Sequence, residues 1–209
     1  MAAFDFYRFK QDEKQIIFNQ LAAKLKIHPA SIEKDWWVVR TLELILTMDV
    51  SEFIVFKGGT SLSKAWNIIE RFSEDVDLAL DRRFLGFEEC KTVKQVKKLR
   101  SSTRNYIYKD FIPGLQNAFI KAGYSDVIVK LNEEEGKNLE PVQISILYKS
   151  CTTKSTYTNP YVKIEIGSRS LREPSTNKEF SSLVGEHFPD RPFADSQIIL
   201  SCVNPERTL

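Results

Sequence analysis

A pair of glycines set between apolar runs constrains this chain more than any other feature. Gly58 and Gly59 lie inside the stretch Phe53 to Leu80, FIVFKGGTSLSKAWNIIERFSEDVDLAL. Phe53 to Phe56 is a short apolar run of strand type, and the glycines break it. Beyond them Leu62, Ala65, Trp66 and Ile69 recur at helical spacing, with Thr60 as the natural N-cap. Val76, Leu78 and Leu80 then alternate with Asp75, Asp77 and Ala79, which is strand periodicity. The stretch therefore predicts a strand, a glycine turn, a helix and a second strand, with Asp75 and Asp77 on one face of that strand. Two carboxylates so close repel unless something positive lies between them. A divalent ion such as magnesium prefers carboxylate and phosphate oxygens. Backbone N–H groups at the start of a helix suit phosphate, and Gly59 is expected to supply the φ > 0 or the backbone room to approach it. A phosphate cradle beside metal-binding carboxylates implies phosphoryl or nucleotidyl transfer.

Gly-Gly-Thr followed by Asp-Val-Asp on a strand resembles the signature of the DNA polymerase β-like nucleotidyltransferases. The longer text, Phe56-Lys-Gly-Gly-Thr-Ser-Leu-Ser-Lys64 and Arg71-Phe-Ser-Glu-Asp-Val-Asp-Leu78, resembles the AbiEii/AbiGii toxin family within them. Glu33-Lys34-Asp35-Trp36-Trp37 is similar to text that precedes the glycine motif in that family. The resemblance implies nucleotidyl transfer from an NTP to an acceptor hydroxyl on tRNA, another RNA or a protein. Asp75, Asp77 and Glu165 would hold two Mg2+ (or Mn2+) ions about 4 Å apart. Gly58, Gly59, Thr60 and Ser61 would hold phosphates. Lys57 or Lys64 would add positive charge, unless either is a solvated surface lysine. A cognate antitoxin would be the partner, in a toxin–antitoxin or phage-defence system. Pro205-Glu-Arg-Thr208 resembles family text that leads into a helix carrying a further functional lysine. The chain is thus expected to cover the N-terminal part of a typical member, without the helical C-terminal region. The alternative is a catalytically inactive nucleotidyltransferase-fold module that binds nucleotide or a partner protein.

The composition, 42% hydrophobic and 28% charged over 209 residues, fits one globular domain, 1–209, of α/β or mixed α+β class. Net charge is only +2, so any nucleic-acid surface must be a local patch. Cys90, Cys151 and Cys202 are odd in number and far apart, which excludes a disulfide framework or a metal knuckle. His28 and His187 have no second ligand at metal spacing. No segment resembles a signal peptide or approaches the roughly 18 apolar residues of a membrane span, so a soluble, cytoplasmic protein is expected.

Asp12 to Leu25 reads as an amphipathic helix. His28-Pro29 interrupts it, and Ser31 is the expected cap of the next helix, Ile32 to Met48, which is apolar nearly all round and hence buried. Lys34 and Asp35 are expected in its solvated first turn. Lys91 to Lys109 predicts a helix with Val93, Val96, Leu99 and Ile107 on an apolar side and a basic outer face. Lys94, Lys97, Lys98 and Arg104 on that face would meet RNA phosphates, or form a merely solvated surface. A kink is expected at Pro113. Strands are expected over Asp126–Leu131, Val142–Tyr148, Tyr161–Ile166 and Ser196–Val203. On the third, the resemblance places the last metal carboxylate, Glu165. The alternative for Glu165 is an exposed acid paired with Lys163 or Arg169. Gly167 to Pro192 is polar, with a short helix expected over Phe180–Phe188.

Overall fold

The computed structural model describes residues 6–69, 75–132, 140–153, 159–168 and 174–207. Arg71, Phe72, Ser73 and Glu74 of the motif text, residues 133–139, Arg169 and Thr208 lie outside the described residues. The architecture is a mixed α+β fold built on one seven-stranded sheet in the order β3-β4-β5-β2-β1-β7-β6. The strands are β1 (Ile54–Lys57), β2 (Asp75–Leu80), β3 (Ile128–Leu131), β4 (Val142–Leu147), β5 (Tyr161–Gly167), β6 (Ser175–Phe180) and β7 (Ile198–Val203). β2 and β5 run parallel, as do β1 and β7, and every other pairing is antiparallel. The helices are α1 (Gln11–Leu25), α2 (Pro29–Leu46), α3 (Gly58–Lys64), α4 (Val93–Tyr106), α5 (Ile112–Lys121) and α6 (Leu183–His187).

The two-residue period of the central strands divides the sheet into two faces. Val76, Leu78, Leu80, Val162, Ile164 and Ile166 are all at most 2% exposed. They meet α2, which packs on β5 and β7 and brings Trp36 and Trp37 into an aromatic cluster with Phe6, Tyr124 and Tyr148. Burying one such apolar side chain stabilises the fold by about 1.5–3 kcal/mol. The alternate residues, Asp75, Asp77, Lys163 and Glu165, are thereby forced onto the opposite face.

Several expectations are corrected. His28, not Ser31, caps α2: its Nδ1 accepts from the Ala30 N–H at 3.1 Å, and Pro29 takes the first helical position, where its missing N–H costs nothing. Thr60 is not a cap, because α3 starts at Gly58 and ends at Lys64 rather than running from Leu62 to Ile69. Val93 is 74% exposed and leaves the apolar side of α4 to Leu99, continued by Ile107 just past its end. The irregularity near Pro113 is a π-turn, Ile107–Phe111, that joins α4 to α5. Proline lacks the N–H for a regular bond, and a wider turn accommodates its ring without ending the helix. β6 is an addition to the expected strands. It is an edge strand pairing only with β7, so its sequence, STNKEF, is polar and buries just Phe180.

Candidate active site

The backbone register assembles the site. β1, β2, β5 and β4 place Lys57, Asp77, Glu165 and Gln143 side by side in one row across the sheet. The adjoining row brings Asp75 beside Lys163. Asp75 and Asp77 from β2 and Glu165 from β5 thus share the open face of the sheet. A cleft of about 350 Å³, lined by Lys57, Asp77, Glu140, Glu165 and Gly167 among others, lies over the first row. That is a size that admits a small-molecule ligand.

Gly58 explains the turn. Its φ is +72°, and a Cβ there would meet the Asp77 carboxylate at 2.0 Å and the Asp77 Cβ at 2.9 Å. Only glycine lets the chain leave β1, turn left-handed and pass this closely over Asp77. The positive φ thus belongs to Gly58, not to Gly59. The Thr60 hydroxyl donates to the backbone carbonyl of Asp75, tying α3 to the start of β2, and Thr60 and Ser61 are both buried. What α3 presents at Gly58 and Gly59 is backbone N–H, which has no earlier helical turn to bond.

Electrostatics at the cleft follow from the geometry. Burial, reinforced by Glu165 and then by Asp75, pushes the Asp77 carboxyl above its ordinary range, against the pull of Lys57 and Lys163. The Lys163 ammonium lies 2.9 Å from Asp75 and 3.0 Å from Glu165. Burial works against its charge, but these two carboxylates outweigh that and raise its pKa. Gln143 donates to Glu165 at 3.1 Å. The alternative given for Glu165, an exposed acid paired with Lys163, is met in part: the pairing is present and includes Asp75, but Glu165 is half-buried rather than exposed.

The chemistry of the donor set fits a hard divalent ion: three carboxylates on neighbouring register positions supply oxygen ligands, and a cation already sits against two of them. Among the described residues no three Asp, Glu, His or Cys side chains already surround a single point. Asp75 and Glu165 both bond Lys163.

The remaining residues of the motif text are placed elsewhere. Lys64, six residues along α3 and so about 9 Å from Gly58, bonds Asp35 at 3.0 Å and Glu186 at 3.1 Å. Burial opposes the Lys64 charge, yet Asp35 and Glu186 raise its pKa, so the ammonium persists. Lys34 and Asp35 are not solvated: they are 2% and 4% exposed. Asp35 also accepts from the Leu183 N–H at 2.6 Å, and Lys34 lies over the Tyr161 ring. Glu33 accepts from the Ser150 and Thr152 hydroxyls and from the Cys151 N–H. Each charged side chain of this turn has a polar, ionic or ring partner, which offsets the cost of its burial.

Sequence reasoning missed Glu140. It lines the cleft, its Oε1 accepts from the Ser168 N–H and hydroxyl at 2.7 Å, and its Oε2 is buried with no hydrogen-bond partner among the described residues. The Ser168 and Thr103 hydroxyls lie 2.5 Å apart, so α4 is joined to the cleft wall through its buried side. Lys94, Lys97 and Lys98 are exposed on the opposite side of α4, and Arg104 is half-buried.

The model of one protein family, described as nucleotidyl transferase AbiEii toxin of a type IV toxin–antitoxin system, matches residues 44–209. The chain belongs to this family. The matched region spans the glycine turn, all three carboxylates and the cleft wall at Glu140. AbiEii members are nucleotidyltransferase toxins, which agrees with the resemblance read from the glycine and Asp-Val-Asp text. No curated protein matches the chain. Among the described residues no helix is long and apolar enough to cross a membrane.

Proposed function

We propose that this AbiEii-family chain transfers a nucleotidyl group from an NTP to an acceptor hydroxyl, with RNA as the acceptor. The observation that carries the reading is the register row of Asp77 and Glu165, with Asp75 on the same face and the Gly58 turn packed directly on Asp77. Asp75, Asp77 and Glu165 would hold Mg2+ (or Mn2+), which when bound neutralises phosphate charge and lowers the pKa of a coordinated hydroxyl. The backbone N–H groups of Gly58 and Gly59 bind the outer phosphates of the NTP. Lys57, beside Asp77 in the row, adds positive charge near them. Gln143 holds the Glu165 carboxylate in place. The exposed lysines of α4, with Arg104, attract the acceptor's phosphates. Lys64 orients α3 from its far end through Asp35 and Glu186, rather than adding positive charge at the phosphates as the resemblance implies.

We further infer a cytoplasmic toxin whose partner is a cognate antitoxin protein. Expression of the active form would slow bacterial growth, and Asp77→Asn would relieve the effect. One observation favours the non-catalytic alternative, a module that binds nucleotide without turnover: Lys163 already bonds two of the three carboxylates. Incorporation of label from α-labelled NTPs into RNA, with and without a divalent ion, separates the two. Metal-dependent incorporation supports transfer. NTP binding with no incorporation under any metal supports the binding module.

A further inference from the structure

We propose that Lys163 is a positioning residue that takes the place of the cation in the metal-free site: it holds Asp75 and Glu165 together until a divalent ion loads and displaces it. The inference rests on the metal-binding reading of these carboxylates. It goes beyond that reading by giving the site a resting state with its own counter-ion.

Two features support it. The first is position. Lys163 is the register neighbour of Asp75 and lies two residues before Glu165, so the pleat puts all three on one face. Its Nζ sits between the carboxylates, 2.9 and 3.0 Å from their oxygens, where a shared cation would sit. The second is freedom to move. Its side chain is 25% exposed, and a lysine carries a compact charge on a flexible four-carbon stem. It can therefore turn from the cleft to solvent without uncovering the core, because the apolar residues of β5 lie on the other face. A divalent ion brings more charge than an ammonium and takes several oxygen ligands at once. The ammonium and the ion cannot hold the same oxygens, so each opposes the binding of the other.

The size of the effect follows from the exposure of the pairs. An ion pair this open to solvent shifts an equilibrium by between less than twofold and about fivefold. Two pairs that must both break lower metal affinity by roughly 2- to 30-fold. Removing the amine should restore that factor.

The experiment uses the whole chain without nucleotide. Wild type, Lys163→Met and Lys57→Met are titrated with Mn2+ by calorimetry, and their melting temperatures are recorded in chelator and at saturating Mn2+. In parallel, wild type is treated briefly with an amine-acetylating reagent in chelator and in Mn2+, and labelling of Lys163 and of the exposed Lys97 is read by mass spectrometry. The expected results are tighter Mn2+ binding by Lys163→Met, within the stated range, and a lower melting temperature for it in chelator that Mn2+ restores. Labelling of wild-type Lys163 should rise at least threefold with Mn2+ while that of Lys97 stays constant. Lys163→Arg should keep the melting temperature of wild type in chelator. If Mn2+ binds wild type but Lys163 labelling does not change, the displacement is overturned and the metal reading stands. An equal gain in affinity from Lys57→Met would assign the effect to net charge and overturn the specific role of Lys163. If neither wild type nor Lys163→Met binds Mn2+, the metal reading fails and the inference with it. The labelling measurement needs no variant, so a folding defect in Lys163→Met does not remove the test.

Discussion

Gly58→Ala is the perturbation whose cost can be worked most directly from the structure. Two costs add. Alanine at φ +72° is in the left-handed region, which costs about 1–2 kcal/mol for a residue with a Cβ. The new methyl also meets Asp77 at 2.0 Å from Oδ2, 2.7 Å from Cγ and 2.9 Å from Cβ. The carboxylate, which lies nearest, must be driven aside while the Asp77 Cβ stays fixed to the strand, and overpacking of this kind, most of it against the carboxylate, costs about 1–3 kcal/mol. The sum is about 2–5 kcal/mol, or a melting temperature lowered by roughly 4–20 °C for a chain of this length. Whatever strain the Asp77 side chain relieves by rotating, it relieves by leaving its place beside Glu165, so transfer activity should fall further than stability. The assay is a double-mutant cycle in urea. Asp77→Ala removes Oδ2 and Cγ, so in that background Gly58→Ala should cost mainly the left-handed backbone and the residual contact with Cβ. A coupling of about 1 kcal/mol or more is expected between the two changes. A loss below about 1 kcal/mol, or the same loss in both backgrounds, would refute the close approach of the turn to Asp77.

Other perturbations test the surrounding chemistry. The Asp77 carboxyl is raised by burial, by Glu165 and by Asp75, so ionising it in the folded protein costs stability. That cost is absent well below its ordinary value of 3.8 and fully present once pH exceeds the folded value. Asp77→Asn should therefore melt higher than wild type at pH 7 in chelator, with the gain shrinking as pH approaches 3.8, and a gain independent of pH would contradict the assignment. Lys64→Met leaves Asp35 buried beside no cation and should cost about 3–5 kcal/mol, much of it recovered by adding Asp35→Asn; urea unfolding of the single and double variants decides it. Lys97→Glu with Lys98→Glu should weaken RNA binding and flatten its salt dependence, by about 0.7 in slope for each single-strand phosphate no longer neutralised, while NTP binding is unchanged. Unaltered RNA affinity in paired titrations would leave α4 a solvated face.

The central strands are legible in the sequence because their side chains alternate without interruption. Val76 to Leu80 and Val162 to Ile166 present their larger apolar residues to one side and the charged Asp77, Lys163 and Glu165 to the other, so the two-residue period alone assigns the faces. The glycine turn is legible as a break, but the glycine that needs the left-handed backbone is not. That depends on the approach of Asp77 from the neighbouring strand, a contact absent from local sequence. The burial of Glu33, Lys34 and Asp35 is equally hidden. Lys34 and Asp35 read as a solvated turn, and only tertiary partners as distant as Tyr161 and Leu183 reverse that reading, as Ser150 buries Glu33 beside them. Glu140 escapes because it lies before β4, where no periodicity marks it, and only pairing across to Ser168 brings it to the cleft. β6 escapes because an edge strand has little apolar surface to bury.

Metal-dependent transfer at the three carboxylates is tested most directly by following label from an α-labelled NTP into RNA with the purified protein, magnesium or manganese being present or chelated. Incorporation should require the divalent ion and disappear in each of Asp75→Asn, Asp77→Asn and Glu165→Gln, all three remaining folded. Incorporation that persists in chelator or in Asp77→Asn would contradict the assignment of these carboxylates as the metal-binding centre of a nucleotidyltransferase.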